Sequence, residues 1–134
     1  MSSHAILLPP GWPRPKGYAN GIAAHGRLVV TGGVVGWDEG EKFVAETMAG
    51  QFRQVLLNTL AILREGGAGP EHVVRMTWYV TGIAEYRASL AEIGAAWREL
   101  MGLNYPAMAV VEVTALVEPA ARIEIETTAV VPDR

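Results

Sequence analysis

The chain has 134 residues, a formal net charge of −3, 50% hydrophobic and 19% charged residues, and no cysteine. That length supplies one core, the acidic balance gives no field for a nucleic-acid backbone, and without cysteine no disulfide framework, thiolate nucleophile or thiolate metal site can be built. So few charges on so small a domain predict that part of its surface is hidden in an oligomer.

Pro9, Pro10, Pro13 and Pro15 make residues 1–16 read as an extended, loosely ordered arm ahead of a single domain over 17–134. The apolar stretch at 5–8 stops at Pro9, too short for a signal peptide or a membrane span, so the default compartment is the cytoplasm. Residues 28–30 form an apolar run between glycines, the pattern of a buried strand. Residues 22–24 are its expected hairpin partner, with His25 and Gly26 in the turn. After a glycine-bearing loop at 36–41, Met48, Phe52, Val55, Leu56, Thr59 and Leu63 recur at helical spacing, and Gly66 and Gly67 end that helix.

Residues 73–80 alternate as a strand, with Arg75, Thr77 and Tyr79 on one face and Val74, Met76, Trp78 and Val80 on the other. A second helix is expected over 85–101, with Tyr86, Leu90, Ile93, Trp97, Leu100 and Met101 on one stripe and Gly102 closing it. Strands at 107–114 and 122–131 complete the order β-β-α-β-α-β-β. The segments 46–80 and 85–114 read as successive helix-plus-strand units. Two helices cover one face of such a mixed sheet, so the other face needs a cover from further subunits.

Several segments in this order resemble the Rid (YjgF-type) family of enamine and imine deaminases. They are Tyr18-Ala19-Asn20-Gly21, Leu28-Val29-Val30-Thr31-Gly32-Gly33, Arg53-Gln54-Val55-Leu56, the strand at 73–80, Tyr105-Pro106-Ala107 and Ile123-Glu124-Ile125-Glu126. The resemblance spans roughly residues 17–131. It implies a chorismate-mutase-like α+β fold, a homotrimer with small-molecule clefts between subunits, and hydrolysis of reactive enamines or imines to a carbonyl compound and ammonia, without metal or organic cofactor.

Imine hydrolysis needs an aimed water, a group to carry its proton and an anchor for the substrate. Glu124 and Glu126 alternate with isoleucines and share one sheet face. Taken bare, they describe a solvated strand; Glu124 matches the family's water-positioning glutamate, and Glu126 is left as surface. By the same resemblance Tyr18 bonds the ligand, Thr31 keeps a hydroxyl where serine is common, and Gly32 presents a backbone N–H. The carbonyl of Val110 meets the imine nitrogen.

The departures run from polar to apolar. Gly33 stands where many members have glutamine, and Leu90 where asparagine is common. Met108 replaces the arginine that grips the substrate carboxylate; losing such a contact costs about 2–5 kcal/mol. Among other cations, Arg14, Lys16, His25, Arg27, Arg75 and Arg87, the central-strand Arg75 is the first choice, either reaching the cleft or pairing across subunits. Trp37 reads either as an aromatic pocket wall or as interface packing.

No phosphate-binding glycine pattern follows Gly32-Gly33. His4, His25 and His72 lack zinc-ligand spacing, and Ser2, Ser3 and Ser89 lack a nucleophile elbow. Three readings follow: a deaminase with altered, more apolar or aromatic preference; a catalytically silent trimeric binder or regulator of the same fold; and an accessory enzyme acting on aminomuconate-type enamines.

Overall fold

The computed structural model describes residues 4–133; residues 1–3 of the expected arm, and Arg134 at the far end of the expected domain, lie outside the described residues. Two-residue strands β1 (Ala5–Ile6) and β2 (Ile22–Ala23) precede β3 (Arg27–Val30) and β4 (Val34–Val35). Helix α1 (Met48–Glu65), a 3-10 turn (Pro70–His72) and β5 (Val73–Val80) follow. The chain continues through α2 (Ile83–Ala88), α3 (Leu90–Met101), β6 (Ala107–Glu112) and β7 (Ile123–Val131). The result is a mixed α+β fold. Its main sheet runs β3-β7-β5-β6, with β4 also on β7, and only β5 and β6 are parallel.

Helix α1 forms where the apolar spacing places it. Thr47 caps its start by accepting from the Gly50 N–H at 3.1 Å, satisfying a donor that the first turn leaves free. Gly67, at φ +75°, lets the chain turn away after it. The buried stripe of α1 meets that of α3 and the inner side chains of β5 and β7 in one core. At its centre Phe52 lies 4.8 Å from Trp78. Buried Gln51 donates to the carbonyls of Ala45 and Ala120 and accepts from Arg122 N, so this polar side chain satisfies three loop groups inside the core.

Three expectations need correction. Residues 22–24 do not pair with 28–30: β2 pairs with β1, and β3 pairs antiparallel with β7. The arm is therefore tied rather than loose, since Ala5 and Ile6 face Ala23 and Ile22 and Leu7 N donates to Gly21 O at 2.9 Å. The second helix starts at Ile83 and breaks at Ser89, whose φ of −102° and ψ of 8° leave the helical range. Leu90 sits beyond that break and is 52% exposed, off the buried stripe.

The far face of the sheet carries Leu28, Val30, Arg75, Thr77, Tyr79, Glu124 and Glu126 by strand register. Leu28 and Val30 are 64% and 59% exposed there. Among the described residues no helix is long and apolar enough to cross a membrane.

Candidate functional site

A cavity of about 450 Å³ walled by aromatic rings opens at the β6 edge between α3, β6 and the segment entering β2. Tyr18, Leu90, Met108 and Val110 all line it. The register explains why. Met108 and Val110 stand opposite Met76 and Trp78 of β5, so their side chains turn to the helix side of the sheet, where α3 leaves a gap beside them. Trp78, Tyr86, Trp97 and Tyr105 complete the walls. Trp97 stacks on Tyr105 at 5.9 Å and 12°, and Trp78 lies 5.9 Å from Trp97. Such offset aromatic packing makes a rigid apolar wall of a size suited to a small organic molecule.

The outer edge of β6 adds backbone groups. Pro106 O accepts from Ala19 N at 2.9 Å on that edge. By strand alternation the N–H and C=O groups of Met108 and Val110 point the same way, and beyond the Ala19–Ala107 bridge no strand among the described residues covers them.

Glu124 lies elsewhere. It pairs in register with Tyr79 and Val35, on the face opposite Met108 and with β5 between their strands, roughly 10 Å across the sheet. Its carboxylate rests against the Cα of Gly33: a Cβ built there would meet its oxygen at 2.2 Å. No hydrogen bond or ion pair holds Glu124 among the described residues. Glu126, in contrast, accepts from Tyr79 Oη at 2.6 Å. That bond raises the pKa of Tyr79, with desolvation next and smaller Coulombic contributions from Glu126 and Glu124. Of the two carboxylates, Glu124 is the uncommitted one.

Thr31 and Gly32 sit near the same face. The Thr31 hydroxyl accepts from Thr127 N at 3.1 Å and donates to Gly32 O at 2.7 Å, so its proton is already engaged. Trp37 packs on Phe43 with ring centres 5.7 Å apart and lines a separate depression of about 390 Å³ with Gly33 and Asn58. One chain thus holds an aromatic cavity with Tyr18, Leu90, Met108 and Val110 and, on the opposite face of the sheet, Glu124 against Gly33.

Arg75 does not line the aromatic cavity. It lines a small hollow on the far face beside Thr31, Thr77 and Glu126. The cations in the cavity wall are Lys16 and Arg98. Arg98 escaped sequence reasoning because it follows Trp97, on the core-facing stripe, and so reads as an outer residue of α3. The available signal was Gly94 one turn earlier, a bare position where a long side chain can lie down.

Gly33→Ala tests how the acid is held. The new methyl group would displace the Glu124 carboxylate, whose far end can swing, so the expected stability change is under about 1 kcal/mol. Any activity that depends on the acid should fall several-fold. Parallel urea melts and turnover assays check both halves of this expectation.

The match to known proteins covers most of the chain. The family described as endoribonuclease L-PSP matches residues 13–131. A RutC family protein of Synechocystis is 33% identical over 122 residues, 90% of this chain and 91% of its own length. Among solved structures, a conserved Rid family protein from Yersinia pestis is 31% identical with a TM-score of 0.81, covering 96% of this chain and 98% of that one. A YjgF/YER057c/UK114 family member from Mycobacterium tuberculosis is 34% identical, with a TM-score of 0.65 over 86% of this chain and 87% of its own.

Proposed function

The chain belongs to the endoribonuclease L-PSP family, whose relatives include proteins named RutC and Rid, and on that premise we propose that it hydrolyses a reactive enamine or imine with an apolar or aromatic body. The observation that carries this reading is the cavity at the β6 edge, where Met108 stands among aromatic rings. A thioether among rings offers soft apolar packing in place of an ion pair.

In the proposed reaction an enamine first tautomerises to its imine. Water then adds to the C=N carbon to form a carbinolamine, whose collapse breaks the C–N bond, releases ammonia and leaves the carbonyl product. Glu124 takes the proton from the attacking water and returns it to the departing nitrogen. Because Glu124 and the cavity lie on opposite faces of one sheet, the acid must come from a neighbouring copy, in the manner of a homotrimer with clefts between subunits. The exposed Leu28 and Val30 beside the acidic strip support such a cover. An RNA-cleaving role, which the family's name carries, has less support: the net charge is −3 and the open face bears Glu124 and Glu126.

A coupled assay tests the reading. An amino-acid oxidase generates imines from phenylalanine, leucine and alanine, and semicarbazide traps whatever remains. Faster loss of trapping for the phenylalanine imine is the expected result. A flat response across the panel would favour a silent binding protein, the reading that gains from the separation of Glu124 from the cavity within one chain. Met108→Arg should raise activity on the alanine imine about tenfold or more by restoring a carboxylate partner.

A further inference from the structure

We infer that Arg98, with Lys16 in the same wall, is the anion-binding pair of the β6-edge cavity, so that the ligand carries a carboxylate on an aromatic or apolar body. This rests on the reading of that cavity as the ligand site and names what the site would hold.

Two observations point the same way. First, the wall contains Lys16 and Arg98 and no acidic residue, in a chain whose net charge is −3. Neither cation makes an ion pair among the described residues. An unneutralised pair at the mouth of an apolar cavity attracts an anion to its rim.

Second, Arg98 is laid over the cavity wall by the helix itself. Leu90, Gly94 and Arg98 succeed one another at four-residue steps on α3, and all three line the cavity. Helical side chains lean toward the N-terminus. With only a hydrogen at Gly94, Arg98 Nη1 comes to 3.3 Å from where a Cβ would stand. Even a methyl group at Gly94 would make the guanidinium give way by a few tenths of an ångström.

The exposure gradient orients the ligand. Trp78, Ile93 and Trp97 are buried at the bottom, while Lys16 and Arg98 are exposed at the mouth. The ring or alkyl body lies inward against Met108, and the carboxylate stays at the rim. For a 2-imino acid the reacting carbon is bonded to that carboxylate, so it too would sit at the rim, where a neighbouring copy's acid can reach it. The charge lost at Met108 is thus resupplied from α3 and the arm, farther from the floor, which favours longer ligands over short ones.

Isothermal titration of the full chain with 3-phenylpropanoate and with its neutral amide, 3-phenylpropanamide, tests the pair. The acid should bind about tenfold tighter than the amide, and Arg98→Leu should remove most of that difference without weakening the amide. Arg98→Lys should restore part of it, and Lys16→Ala should cost less than Arg98→Leu. Equal binding of acid and amide, or an acid preference that survives Arg98→Leu combined with Lys16→Ala, would overturn the assignment and leave the cavity as a ligand site. If neither compound binds, the reading of the cavity fails and the pair with it. Tighter binding of uridine 5′-monophosphate than of the acid would make this a phosphate site and overturn the carboxylate.

Discussion

Replacing Glu124 with glutamine is expected to lower turnover of the best imine substrate by about 10²- to 10⁴-fold, the usual contribution of a positioned proton carrier. The amide keeps the shape and the polar contacts of the side chain and loses only its capacity to take a proton. The fold should not notice. Glu124 points from the open face, has no hydrogen-bond partner among the described residues, and rests on a glycine. Surface positions of this kind change stability by about 0.5 kcal/mol or less. Glu126→Gln is the matched control, because that carboxylate is held by Tyr79 at 2.6 Å; its turnover should stay within a few-fold of the unaltered protein. Steady-state rates with the phenylalanine-derived imine decide the matter. A Glu124→Gln protein that turns over at the original rate would remove the acid from the mechanism.

The largest effect on stability is expected from Phe52→Ala, about 3–5 kcal/mol. Phe52 is fully buried on α1, packed 4.8 Å from Trp78 and surrounded by the chain's main core. Truncating it removes transfer energy and leaves a hole that the sheet on one side and α3 on the other cannot close. Against a total of about 5–15 kcal/mol for a domain of this kind, most of the margin would go. Urea midpoints with unchanged slope give the number. Phe52→Leu should lose much less, since it keeps most of the volume. The effect should also reach the ligand, because Trp78 joins the core to the cavity floor. A loss under about 1 kcal/mol for the alanine variant would mean that α1 is not fastened to the sheet as the packing implies.

Local pattern carried the elements whose partners are near or whose period is long. The alternation over Val73–Val80 and the helical spacing over Met48–Glu65 locate β5 and α1 to the residue or within a few. Pairing was another matter. Strands of two residues, such as Ile22–Ala23, leave no period to read, and proximity in sequence favours a hairpin that the nine-residue β7 outcompetes. The break at Ser89 is similarly invisible, since serine tolerates a helix interior well enough.

The site was legible only in pieces. Tyr18, Leu90, Met108 and Val110 are scattered along the chain, and only the family resemblance set them side by side, which the cavity does as well. Their separation from Glu124 follows from strand parity: Met108 faces inward with Met76 while Glu124 faces outward with Tyr79. That parity could be counted for each strand, but not the register between strands. Arg75 was favoured for its central strand, yet the same parity sends it to the far face. Arg98 depends on a glycine one turn away, a relation that no charge count records.

The β1–β2 ladder has a practical consequence. Residues 7–21 form a loop closed at its base by that pairing and fastened again where Ala19 meets Pro106, and this loop carries Lys16 and Tyr18. Loosening that two-rung ladder is therefore expected to shift Lys16 and Tyr18 at the lip of the cavity.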